Sequence, residues 1–134
     1  MGIVRTRVRL YNDGRSDLEE VDARALVDTG AMNLCIPQHV ATQLRLEKRF
    51  DREMVLADGS RKVVPYCSGV RVETMGRGCV VGALVFGEEV ILGAIPMEDM
   101  DLVIHPATLD VRPNPDNPNI AVSLAMGFRT IHND

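Results

Sequence analysis

The sequence predicts an all-β domain carrying one or two short helices, and three observations lead there. Only 4% of residues are aromatic and Trp is absent, so Val, Leu, Ile, Met and Ala must fill the core, and β-branched filling favours strands. Apolar and polar residues alternate with period two, most clearly where Val21, Ala23, Ala25 and Val27 oppose Asp22, Arg24 and Leu26. Strong turn signals recur between such stretches, at Asn12-Asp13-Gly14, Asp58-Gly59 and Gly76-Arg77-Gly78. With 134 residues, 46% of them hydrophobic and 25% charged, the chain suits one globular domain rather than a disordered or fibrous one.

Taken in order, Ile3 to Tyr11 predicts a first strand, and the Asn-Asp-Gly turn returns it into Val21 to Val27 as an opening hairpin. That second strand ends at Asp28-Thr29-Gly30. Asn33 to Ile36 predicts a short return strand, and Pro37 suits the first turn of a helix over Gln38 to Leu44 with Val40 and Leu44 on one face. Arg52 to Leu56 and Lys62 to Val72 predict two strands joined by Ala57-Asp58-Gly59-Ser60. The next turn leads into Cys79 to Phe86, and the apolar run Val90-Ile91-Leu92 stops at Gly93. Pro96 to Met100 predicts one helical turn with Met97 and Met100 inward, followed by strands at Leu102 to Ile104 and Leu109 to Val111. Pro113, Pro115 and Pro118 cannot donate ladder hydrogen bonds, so the domain is expected over 1–112 and a Pro-rich linker and tail over 113–134. Within that tail, Ile120 to Met126 reads as a last strand or as a segment ordered by a partner.

Composition narrows the function. A net charge of −4 and a pI near 5.3 argue against nucleic acid and anionic membrane as partners. Arg5, Arg7 and Arg9 fall on one face of the first strand, as a solvated face would. Cys35, Cys67 and Cys79 cannot all pair within one chain and do not form a metal-ligand cluster, so reduced thiols in a cytoplasmic protein are expected. The charged N-terminus lacks the apolar stretch of a signal peptide, and no run approaches a membrane span. Met1 to Thr6 fits the permissive N-myristoylation pattern but reads better as the approach to a strand. Glu98, Asp99 and Asp101 are commoner as solvated acids than as a cation site, and His39, His105 and His132 lack spaced partners. Neither metal nor cofactor is expected.

The remaining chemistry rests on Asp28. Hydrolysing a peptide without a metal or a covalent nucleophile requires two carboxyls close enough to share a proton, one acting as base toward water and the other as acid toward the carbonyl oxygen. A carboxylate at a strand-to-turn junction, followed by a hydroxyl and by a Gly that allows backbone approach, suits half of that device. Ala25-Leu26-Val27-Asp28-Thr29-Gly30-Ala31 resembles the active-site loop of the retropepsin-like aspartic peptidases. The hairpin about Asp58-Gly59 falls where that family has its flap, and Ile91-Leu92-Gly93 before a short helix is similar to the element that braces the family's active-site loop. The likeness covers residues 21 to 111.

It implies a closed β-barrel of the acid-protease fold, one lobe per chain, with Asp28 catalytic. Thr29 would lock two loops across a dimer axis, and Gly30 would offer backbone to substrate. Ala31, Ala57, Asp58, Gly59 and Ser60 would bind substrate or form the flap, while Leu92 and Gly93 would support the loop. The 134 residues hold no second Asp-[Ser/Thr]-Gly, so the partner carboxylate is expected from another copy in a homodimer. A peptide or protein bound as an added strand is the expected substrate. The retroviral members place an acid after the motif and pair it with an Arg after the later Gly. Met32 and Ala94 stand nearest those positions, so that ion pair is not expected. The competing expectation is a dimeric peptide-binding or assembly module that keeps the fold and cuts little or nothing.

Overall fold

In the computed structural model, which describes residues 2–125, nine strands and two six-residue helices follow one another along the chain. The strands are β1 (Arg5–Asn12), β2 (Val21–Val27), β3 (Leu34–Ile36), β4 (Lys48–Val55), β5 (Arg61–Thr74), β6 (Arg77–Val85), β7 (Ile91–Leu92), β8 (Leu102–His105) and β9 (Asp110–Pro113). Helix α1 (Gln38–Gln43) follows β3, and α2 (Ala94–Asp99) follows β7. Met1, Met126 and His132 lie outside the described residues.

Six strands close on themselves in the order β1-β2-β7-β3-β6-β5, because β5 also pairs with β1 through Arg9 to Asn12 and Val70 to Glu73. Closure leaves those strands without a free edge along the ring. The alternation that predicted the strands follows from this ring. Val8, Leu10, Ala25, Val27, Val70 and Val72 point into one core, and Leu34, Ile36, Leu92 and Met100 complete it. Arg5, Arg7 and Arg9 face outward and pair with Glu89, with Asp22, and with Glu20 and Glu73 respectively.

Strand β5 does two jobs. Its C-terminal half belongs to the barrel, while its N-terminal half carries β4 outward as a two-stranded ribbon. The change of partner coincides with a β-bulge between Cys67 and Val70, where Gly69 adopts φ 73°. A bulge bends its strand and raises the local twist, and Gly enters this left-handed region without a Cβ penalty. Strand β4 begins at Lys48 rather than at the predicted Arg52. The charged stretch Lys48 to Asp51 lies on an exposed edge, so it carries little apolar alternation for a sequence to display.

The predicted turn Gly76-Arg77-Gly78 is tighter in the structure. Met75 and Gly76 alone make it, both at positive φ, as a two-residue hairpin requires. Arg77 therefore opens β6, and its side chain is buried. Its guanidinium donates to the Asp101 carbonyl at 2.7 Å and to the carbonyls of Met100 and Asn117. It also pairs with the Asp101 carboxylate at 3.7 Å.

Asp101 ends α2 at φ 53°, where Gly is the usual residue. Its carboxylate explains its presence there. It accepts from the side-chain amides of Asn114 at 3.0 Å and Asn117 at 2.8 Å, and from the backbone of Val122 at 3.1 Å. The stretch after Pro113 is thereby strapped to the barrel, although residues 121–125 form no strand. Among the described residues, no helix is long and apolar enough to cross a membrane.

The amides of Asn114 and Asn117 hold the Asp101 carboxyl below its usual value. A carboxyl lowered in the folded state adds stability above its unfolded pKa, near 3.9, and loses it as pH falls through the lower folded value. Asp101→Gly relieves the backbone and removes both the strap and the carboxylate that pairs with Arg77. Its melting temperature is expected to fall below the parent's at neutral pH, and the gap should close as both are acidified past the lowered folded-state value. A gap that persists in acid would assign the loss to something other than the ionised carboxylate.

Candidate active site

Asp28 stands where β2 leaves the barrel. Parallel pairing of Leu26 with Ile91 and of Val27 with Leu92 carries the chain to this point, and the Asp28 amide then donates to Leu92 O at 3.1 Å. The chain turns immediately, with the Ala31 amide donating to Asp28 O at 3.1 Å. The Gly30 amide donates to Asp28 Oδ1 at 3.0 Å, which fixes one carboxylate oxygen toward the loop. Asp28, Thr29 and Gly30 are all exposed.

Gly93 holds the loop from behind. A Cβ there would overlap the Asn33 carbonyl and come 2.8 Å from Ala31 O, so any side chain would displace the backbone. This contact lets α2 begin against the loop, with Ala94 N donating to Ala31 O at 2.9 Å and Ile95 N to Met32 O at 2.8 Å. The two positions that lack a charged pair, Met32 and Ala94, therefore lie on segments joined by backbone hydrogen bonds. Leu92 is fully buried beneath them.

The β4–β5 ribbon reaches over this loop and encloses a cleft of about 740 Å³. Its tip is a tight turn in which Gly59 N donates to Leu56 O at 2.9 Å, and Gly59 itself adopts φ 83°. Asp58 Oδ1 accepts from both the amide and the hydroxyl of Ser60, and these bonds lower the Asp58 carboxyl below its usual range. Of the sequence-predicted residues, Asp28, Gly30, Ala31 and Ala57 line the cleft. Thr29 does not line it, nor do Asp58, Gly59 and Ser60 at the exposed tip.

The cleft also holds residues that the sequence did not single out for a site. Cys35, Leu84, Phe86 and Ile91 contribute from the barrel, and Arg52 and Met54 from the ribbon. Period-two spacing from Phe50 through Arg52 to Met54 was the available signal, though nothing local says which face of an exposed ribbon turns inward. Burial pushes the Cys35 thiol up to about 11, and the negative charge of Asp28 adds to the rise. Burial likewise raises Cys79 to about 12.

Two outcomes test this geometry. Gly93→Ala is expected to destabilise the protein by about 1–3 kcal/mol and to expose the Ala94 and Ile95 amides to hydrogen exchange. Gly59→Ala, which costs about 1–2 kcal/mol for its left-handed backbone, should leave those amides protected. In the native protein Cys35 and Cys79 should alkylate slowly at pH 8, because the neutral thiol is unreactive. Their raised thiols add stability that is complete below the unfolded cysteine pKa, near 8.5, and is lost as pH rises through about 11 to 12. Asp28→Asn should quicken the Cys35 reaction by removing the neighbouring charge.

No protein-family model matches the chain and no curated protein matches it, so the functional reading of this site rests on its own geometry and on the sequence of its loop.

Proposed function

We propose that the chain is one half of a homodimeric aspartic endopeptidase of the retropepsin-like kind, with Asp28 as its single contribution to a shared pair of carboxyls. The observation that carries the reading is the position of Asp28, on an exposed loop braced by Gly93 and covered by the β4–β5 ribbon. A carboxylate so placed can meet a second across a two-fold axis, and the ribbon can lie over an extended chain.

Further support comes from the surface beside the loop. Met32 is 68% exposed and Ile95 41% exposed, and their segments are hydrogen-bonded neighbours. Large apolar side chains gathered beside a candidate site suit contact with another chain. In the proposed dimer the two Asp28 carboxyls share one proton, since like charges at such separation cannot both ionise. The ionised member takes a proton from water as that water attacks the scissile carbonyl carbon. The protonated member donates to the carbonyl oxygen, and the tetrahedral product then collapses with protonation of the leaving amine. Gly30 N–H holds an Asp28 oxygen during these transfers.

Cleavage of a diverse peptide mixture, read by mass spectrometry from mildly acid to neutral pH, tests the reading. The parent should cut extended peptides, with a rate that falls faster than linearly on dilution through the dimer dissociation range. Asp28→Asn should lose cleavage by at least about a hundredfold, the scale on which positioned acid–base groups contribute. A dimer that binds peptides without cutting them would favour the binding-module reading. A protein that remains monomeric at micromolar concentration would remove the shared site altogether.

A further inference from the structure

The inward face of the ribbon carries charge as well as apolar surface. On β4, Phe50, Arg52 and Met54 share one face, opposite Tyr66, Val64 and Lys62 on β5, and of these Arg52 and Met54 line the cleft. Val64 is buried with Cys35 and Leu84, and Met54, Tyr66, Phe86 and Ile91 pack around them. Two cations rest on the aromatic members of this cluster. The Arg52 guanidinium lies 4.5 Å from the Tyr66 ring centroid, and Lys62 Nζ lies 5.6 Å from that of Phe86.

Neither cation forms an ion pair among the described residues, whereas Arg61, Arg71, Arg77 and Arg112 all do. Glu53, which lines the same cleft, is already bound by Arg61 at 2.8 Å. Stacking on a ring leaves the edge N–H groups of a guanidinium free, and their fork matches a carboxylate with two parallel hydrogen bonds. Arg52 and Asp28 line one cleft whose floor is apolar, formed by Leu84, Phe86 and Ile91, and Lys62 touches that floor through the Phe86 ring.

We propose that the cleft selects chains in which an apolar side chain filling this floor is accompanied by an acidic side chain, bound by Arg52 with Lys62 adding to the local field. The inference rests on the peptidase reading and names its substrate class. Long-range electrostatics does not produce such a preference, because the protein as a whole carries a net charge of −4 and repels acidic peptides. The preference must come from the cleft itself, and the overall charge makes it conspicuous if present.

The experiment uses fluorescent peptides that share one apolar core and differ by a single Glu, Gln or Lys moved stepwise on either side of it. Binding is measured by anisotropy to dimeric Asp28→Asn, and cleavage by the parent is measured in parallel. At one or two positions Glu should bind about fivefold tighter than Gln, the scale of a partly exposed charge pair. Arg52→Gln should abolish the difference, and Arg52→Glu should favour Lys instead. Equal affinity for Glu and Gln at every position overturns the proposal, as does a Glu preference that survives both Arg52→Gln and Lys62→Gln. Dissociation of the dimer by Arg52→Glu, seen by sedimentation, also overturns it by assigning the cation to the interface. A Glu preference in binding without cleavage by the parent would sink the peptidase and leave the acidic subsite standing.

Discussion

The close approach of Gly93 to the backbone of Ala31 through Asn33 is the contact on which both the barrel and the site depend. Strand β7 is two residues long, yet it joins β2 in parallel and β3 in antiparallel fashion, and without it the ring would open between them. Such a short strand cannot be held by its ladder alone. Its neighbours on either side supply the rest, through Asp28 N to Leu92 O before the loop and Ala94 N to Ala31 O after it. The bond to Ala31 O brings residue 93 against the loop backbone, where a Cβ would overlap the Asn33 carbonyl and crowd that of Ala31. The loop that exposes Asp28 is therefore held by the same contacts that help to close the barrel.

A second constraint sits on the opposite side of the cleft. Strand β5 extends for fourteen residues, longer than the barrel can use, and the bulge near Gly69 turns its surplus into the ribbon. Because β4 pairs only with β5 among the described residues, the ribbon is anchored along one edge and by the small cluster of Val64, Leu84 and Cys35. Segments held by few buried contacts lie at the low end of local stability, which is where a cover that admits an extended chain has to be drawn from.

Much of this was legible in the sequence because it is local. The alternation from Val21 to Val27 predicted β2 with its observed bounds, the Asn-Asp-Gly and Asp-Gly turns marked the β1–β2 and β4–β5 connections, and Met97 and Met100 turn inward as expected. What the sequence concealed is long-range. The pairing of β1 with β5 joins residues some sixty positions apart, and no periodicity announces it. Arg77 looked like part of a turn because Gly flanks it on both sides, and only the carbonyls at the end of α2 and at Asn117 give a buried guanidinium its partners. Asp101 looked like a solvated acid for the same reason. Its role depends on Asn114 and Asn117, which a Pro-rich stretch made look like linker.

The site shows the same division between local and long-range information. Asp28 and the glycines could be placed from their immediate neighbours, whereas Arg52 and Cys35 enter only because the ribbon folds over the loop. Among the described residues the barrel buries its own core, and Glu53, the other acid that lines the Asp28 cleft, is already bound by Arg61. On the proposed reading, that self-sufficiency is what sends the missing half of the chemistry to another copy. Closure within one chain leaves the loop exposed with Met32 and Ile95 beside it, and on the proposed reading this is where a second copy would meet it.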